Sequence, residues 1–235
     1  MELFGLTHPG RTREKNEDRY LIRELGPDAA MLIVADGMGG HHGGEMAAQI
    51  IVDLFSALAA DMVSTEAELS AGLVQANYAI LKYASTVPDL EGMGSTATTV
   101  VIQPESAYWA TVGDSRLYHF RDGKLTQVTT DQTLVQYMVK KHHITVEEAR
   151  SHPLRHVLQQ CVGCTECAPE SGRLEVSPGD ILLLSSDGLH GEITRHELTA
   201  ILATNLDLET VTTALLEKAL QHGGRDNITI VAAKV

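Results

Sequence analysis

The chain has 235 residues and a formal net charge of −13, from 31 acidic and 18 basic side chains. That length supports one substantial core, and the negative balance argues against a general binder of nucleic acid or anionic membrane. There is no run of about 20 apolar residues to span a membrane, no signal-peptide pattern at Met1–Phe4, and only three cysteines, an odd number, so the cytoplasm is the expected compartment.

No Pro/Ser-rich linker or charge block divides the chain, and one domain over residues 1–235 is expected. Leu3 to Thr7 reads as a first strand. Arg11 to Asp18 is a polar loop, and Arg19 to Leu25 alternates as a second strand. Gly26-Pro27-Asp28 is a turn. Met31 to Ala35 is an unbroken apolar run and reads as a buried strand. Met46, Ala47, Ile50, Ile51, Leu54 and Leu58 recur at helical spacing, as do Leu69, Leu73, Ala76, Ile80 and Tyr83. Residues 96–102, 107–112 and 116–120 read as consecutive antiparallel strands.

From Gln132 to about Leu158 the pattern turns helical, polar and rich in histidine. Thr145-Val146-Glu147-Glu148 resembles a capping box, and Pro153 ends its helix. Strands return at 171–176 and 180–185, helices follow at 194–202 and 208–220, and 227–234 is a last strand. Runs of strands with paired helices predict sheets with helices outside them, not a βαβ alternation.

The chemistry concentrates where strands end. Glu17-Asp18 precedes the second strand. Asp36-Gly37 ends the third and opens the glycine-rich stretch Gly37-Met38-Gly39-Gly40-His41-His42-Gly43-Gly44. Asp-Gly is also a common turn dipeptide. Asp122-Gly123, between Tyr118-His119-Phe120 and Leu125-Thr126, shows how such a hairpin turn looks here. Asp36-Gly37 leads into a glycine loop and a helix instead, so a turn and a functional carboxylate both remain open. Asp114, Asp187 and Asp226 occupy further strand or loop boundaries. Acids aimed at one place would repel one another unless a cation neutralised them, and hard oxygen ligands suit Mg²⁺ or Mn²⁺.

The order of these motifs resembles the metal-dependent serine/threonine phosphatases of the protein phosphatase 2C type, especially the compact bacterial ones. The matching segments are Gly10-x-x-Arg13-x-x-Asn16-Glu17-Asp18, Val34 to Gly40, Met93 to Thr98, Val112 to Arg116, Ser186-Asp187-Gly188 and Arg225 to Thr229. They run in family order over most of the chain. The resemblance implies an α+β fold, with two antiparallel sheets packed as a sandwich and helices on both outer faces. It also implies two Mn²⁺ or Mg²⁺ ions. Asp36 would bridge them, with Glu17 and the Gly37 carbonyl on one ion and Asp187 and Asp226 on the other. Asp18 would orient water, and Arg13 would clamp phosphate. The implied reaction is hydrolysis of phosphoserine and phosphothreonine in proteins, by in-line attack of a water or hydroxide bridging the metals.

The family's variable flap corresponds to residues 132–158. A cognate Ser/Thr kinase and its targets are the implied partners, and a monomer is expected. Rival readings are a hydrolase of a small phosphate ester on the same fold, and a non-catalytic phosphoprotein-binding module.

Some positions depart from the family. Gly191 stands where many relatives carry an acid, so a third ion would rest on Asp114 and Asp187. Gln132 replaces a frequent histidine. Met38 stands where animal relatives have a histidine proposed as general acid. The leaving group's proton is then expected from water, with His41 as the other donor. His41, beside Asp36, is a candidate to touch substrate. His142, His143, His152 and His156 are expected to be surface or structural, Arg116 to support the turn around Asp114, and Cys161, Cys164 and Cys167 to be free thiols.

Overall fold

The computed structural model describes residues 1–39, 43–204 and 206–235. Strands β1 (Glu2–His8), β2 (Arg19–Gly26) and β3 (Ala29–Ala35) come first, then the two-residue β4 (Gly37–Met38). Helices α1 (Gly43–Ala57) and α2 (Glu66–Ala84) lead to β5 (Gly94–Ser95), β6 (Ala97–Gln103), β7 (Ser106–Val112), β8 (Arg116–Arg121) and β9 (Lys124–Gln127). Two short helices, α3 (Leu134–Lys140) and α4 (Val146–Ser151), precede β10 (Glu170–Glu175) and β11 (Ile181–Ser185). The chain closes with α5 (Asp187–His190), α6 (Arg195–Leu202), α7 (Leu208–Gln221) and β12 (Ile228–Lys234).

One sheet has the order β1-β12-β11-β8-β9 and the other β10-β7-β6-β3-β2. All their strand pairs are antiparallel. Side chains alternate between the faces of a strand, and both faces of the central strands are covered. Leu32 and Val34 of β3 pack into the sandwich with Leu182 and Leu184 of β11 and Val231 of β12. Met31, Ile33 and Ala35 point outward and meet Ala47, Ile51 and Phe55 of α1 and Leu69, Leu73 and Ile80 of α2. On the far side, Leu183, Ile230 and Ala232 meet Leu198 and Leu202 of α6 and Val211 and Leu215 of α7. The fold is therefore the expected α+β sandwich, layered α-β-β-α. Burial on both faces is why residues 31–35 read as an unbroken apolar run.

Asp122 and Gly123 form the two-residue turn between paired Arg121 and Lys124, with φ of 51° and 74°. Positive φ at both positions is what a type I′ hairpin requires. In the 132–158 segment, α4 opens on the Thr145–Glu148 capping box. The segment leaves and returns at one point: Leu134 N donates to Val157 O, and Gln159 N to Gln132 O, each at 2.8 Å. Among the described residues no helix is long and apolar enough to cross a membrane.

The cysteine expectation is corrected. Cys161 and Cys164 are joined by a disulfide, with Cα atoms 5.5 Å apart, and Gly163 between them has φ of 107°. Their spacing alone does not reveal the turn that brings them within bridging range. Cys167 is a free thiol.

Candidate metal centre

Asp36 follows β3 directly, and its backbone is held on both sides. Its N–H donates to Thr96 Oγ1 at 3.2 Å. Its carbonyl accepts from Thr96 N–H at 2.8 Å and from Ser95 Oγ at 2.9 Å. The next two residues form a ribbon with β5, Gly37 opposite Ser95 and Met38 opposite Gly94. A Cβ at Gly37 would lie 2.1 Å from the Gly44 carbonyl oxygen and 2.6 Å from that of Glu17. Glycine is required here because α1 and the Glu17 backbone approach so closely. Asp36-Gly37 is therefore not a hairpin turn.

A cleft of about 430 Å³ is lined by Arg13, Glu17, Asp36, Gly37, Asp114, Asp187 and Asp226. Arg13 and Glu17 come from the β1–β2 loop, and Asp114 from the β7–β8 turn. Asp187 opens α5, and Asp226 precedes β12. The fold thus collects these acids from five separated stretches. Asp18 is buried beside them, 1% exposed. Its Oδ2 accepts from Ser186 Oγ at 2.8 Å and Thr229 Oγ1 at 2.6 Å, while its Oδ1 has no hydrogen-bond partner. His41 lies outside the described residues.

The electrostatics follow from crowding. Burial pushes the Asp18 carboxyl up to about 7, against the hydrogen bonds from Thr229 and Ser186. Burial, then Asp187 and Asp131, push Asp114 to about 7, while Arg116 pulls the other way. Asp36 is raised well above the usual carboxylate range by burial and then by Asp18, Asp187, Asp114 and Asp226. Glu17 is raised by burial and lowered by Arg13. Arg13 Nη2 donates to Asp226 Oδ2 at 2.8 Å, so one donor of the expected phosphate clamp rests on an acid.

Several supports escape a sequence reading. Asn227 ties the two ends of the site together. Its Oδ1 accepts from Glu17 N, and its Nδ2 donates to Pro9 O and Lys15 O, all within 3.0 Å. Arg116, expected to support the turn around Asp114, grips Asp131 with two hydrogen bonds, at 2.8 and 2.6 Å, and donates to Tyr118 OH. Gln132 closes on Gly113 in both directions: Gln132 Oε1 accepts from Gly113 N, and Gln132 N donates to Gly113 O. His156, expected as surface or structural, lines the cleft, with Nδ1 3.5 Å from Asp187 Oδ2. It arrives from the far end of the 132–158 segment, a juxtaposition that no local pattern signals.

The donor set fits hard divalent cations. It offers carboxylate oxygens and a backbone carbonyl, a buried carboxylate oxygen without a partner, and buried acids that raise one another's pKa. Among the described residues no group of three or more His, Cys, Asp or Glu side chains stands ready around a single point. The acids surround a cleft instead, as like charges in a poorly solvated space do.

The model of the family described as protein phosphatase 2C matches residues 7–226. The serine/threonine protein phosphatase PstP of Mycobacterium tuberculosis is 38% identical over 225 residues, covering 93% of this chain and 44% of PstP. This chain therefore spans less than half of that relative's length. The serine/threonine phosphatase stp of Listeria monocytogenes is 33% identical over 238 residues, covering 96% of this chain and 92% of its own. A crystal structure of the PstP catalytic domain in complex with two manganese ions superposes with a TM-score of 0.86 at 34% identity, covering 99% of this chain and 97% of that one.

Proposed function

The chain belongs to the protein phosphatase 2C family, and on that premise we propose that it hydrolyses phosphoserine and phosphothreonine in proteins with two divalent ions bound in the cleft. The observation that carries this reading is the ring of acids that line one cleft around Asp36 and push its carboxyl well above the usual range. Asp36 is assigned as the bridging ligand, Glu17 and the Gly37 carbonyl to one ion, and Asp187 and Asp226 to the other. Asp114 with Asp187 would hold a third. When bound, such ions lower the pKa of water and neutralise charge on phosphate.

The chain's own groups do the rest. Arg13 offers guanidinium donors to phosphate oxygens at the cleft mouth. The free Oδ1 of Asp18 accepts a hydrogen bond from water and aims its lone pair at phosphorus. In-line attack by the water oxygen forms a new P–O bond as the P–O ester bond breaks. The attacking water gives up a proton, and the serine or threonine oxygen leaves with a proton taken from water. His41 is retained as a substrate contact. Residues 1–235 act as one phosphatase domain, with 132–158 as the flap. We assign it to the cytoplasm, as a monomer, opposite a Ser/Thr kinase, with no nucleic-acid or membrane partner.

Side-by-side rates with Mn²⁺ on phosphoserine peptides, phosphothreonine peptides and nucleotides test the substrate class. Phosphopeptides should be turned over at least about tenfold more efficiently, a difference of about 1.4 kcal/mol in barrier. Faster nucleotide hydrolysis would identify a small-ester hydrolase, and no turnover of any substrate would identify a binding module.

Arg13→Ala should raise KM for a phosphopeptide with kcat little changed, because the clamp holds phosphate before and during reaction. A loss confined to kcat would place Arg13 in the transition state only. Unchanged kinetics would remove it from the site.

A further inference from the structure

The cleft that Asp36 lines is also lined by Cys161 and Cys164, which are joined by a disulfide. The bridge spans a separation of three residues. Stabilisation by loop closure grows with loop length, so a bridge this local adds little as a staple. What it constrains is position. Val162, inside the bridged turn, exchanges two backbone hydrogen bonds with Ser95, each 2.8 Å. Ser95 Oγ donates to the Asp36 carbonyl at 2.9 Å, and Ser95 pairs with Gly37. Gly163 N donates to Asn77 Oδ1 at 2.6 Å, which anchors the same turn to α2. A continuous run of contacts thus joins the disulfide to the backbone that carries Asp36.

The two sulfurs differ in access. Cys161 is 3% exposed, whereas Cys164 is half-buried. Cys167 is a free thiol packed against the core under α1 and α2. Burial pushes that thiol up to about 11, so it stays protonated at neutral pH and is a poor exchange partner.

We infer that Cys161 and Cys164 form a reversible redox pair, reduced by a dithiol that attacks at Cys164, and that the state of the pair controls how firmly the Ser95–Val162 bridge holds the Asp36 loop. A thiolate of the dithiol attacks Cys164 Sγ, the Cys161–Cys164 bond breaks, and Cys161 leaves as a thiolate that takes up a proton. The reductant's second thiol loses its proton and attacks the mixed disulfide. The reductant's own disulfide forms, and the Cys164 thiolate leaves and is protonated. Two electrons and two protons have passed to the pair. A low-molecular-weight disulfide takes them back by the reverse exchange. In a reducing compartment such bonds serve sensing more often than structure. The inference goes beyond the hydrolytic reading and does not depend on it.

The test uses the full chain in graded mixtures of reduced and oxidised dithiothreitol, without an activity assay. Free thiols are trapped with a maleimide under denaturing conditions and counted by mass. Amide hydrogen exchange is followed on the same samples. One trapped thiol is expected in the oxidised form and three in the reduced form, from the three cysteines present, with one reversible transition between them. The Ser95 and Val162 amides should exchange at least about tenfold faster in the reduced form. Cys164→Ser should show the fast exchange whatever the redox buffer. If that variant does not fold, Cys167→Ala must still pass from no trapped thiols to two, with the same change in exchange. A thiol count that never changes would overturn the redox pair. A transition that leaves both amides within twofold would overturn its link to the Asp36 loop.

Discussion

Asp36→Asn should lower kcat/KM on a phosphopeptide by at least about 10³-fold, a loss of about 4 kcal/mol of transition-state stabilisation. Asp36 sits among the acids of the cleft, and its carboxyl is raised by Asp18, Asp187, Asp114 and Asp226 after burial itself. One neutral amide in its place would weaken both proposed ion sites at once. The same crowding supplies a control against simple unfolding. Without metal, the buried carboxylate is a liability, and an amide removes it. The metal-free variant should therefore melt at or above the temperature of the metal-free parent. It should also lose the rise in melting temperature that Mn²⁺ gives the parent. Full activity, or an undiminished Mn²⁺ shift, would remove Asp36 from the bridging position.

Chelation should abolish hydrolysis, and Mn²⁺ or Mg²⁺ should restore it. Its signature in stability depends on pH. Asp18 and Asp114 titrate near 7 in the metal-free fold, against about 3.9 in an unfolded chain. Between those values the folded protein holds protons that the unfolded chain has released. Stability therefore falls as pH rises from about 4 to about 7. His156 acts in the same direction. Its pKa is raised by Asp187, so the contribution of that pair is lost as pH rises through it. Buried His190, whose pKa burial lowers, partly offsets these contributions. Chelated protein should thus melt several degrees lower at about pH 7.5 than at about pH 5, and millimolar Mn²⁺ should cancel most of the difference by favouring the charged carboxylates. Activity that survives exhaustive chelation, or melting of the chelated protein that rises with pH, would contradict the charge-crowded cleft.

Local pattern carried the elements well, because each rests on nearby residues. Helical spacing marked α1 and α2, and Thr145 with Glu148 marked the start of α4. Asp122-Gly123 identified its hairpin because the positive φ of that turn is a property of two residues. The strand-end acids were legible for a similar reason, since a carboxylate that closes an apolar run stands out wherever the chain goes next. That these acids meet was not legible in composition. Only the order of the family motifs implied it.

The sequence by itself determined the apolar runs, the helix faces, the capping box and the identity of the acids, all set by covalent neighbours and short-range periodicity. Tertiary structure alone decided what distance in the chain conceals. It brought the 132–158 segment back on itself so that His156 reaches Asp187. It made Asn227 the tie between the β1–β2 loop and the start of β12. It demanded a glycine at 37, through the approach of Gly44 rather than through a turn. It also curled residues 161–164 until two thiols met beside Asp36. Each of these depends on which groups share a small volume, and that is fixed only when the two sheets close over their common core.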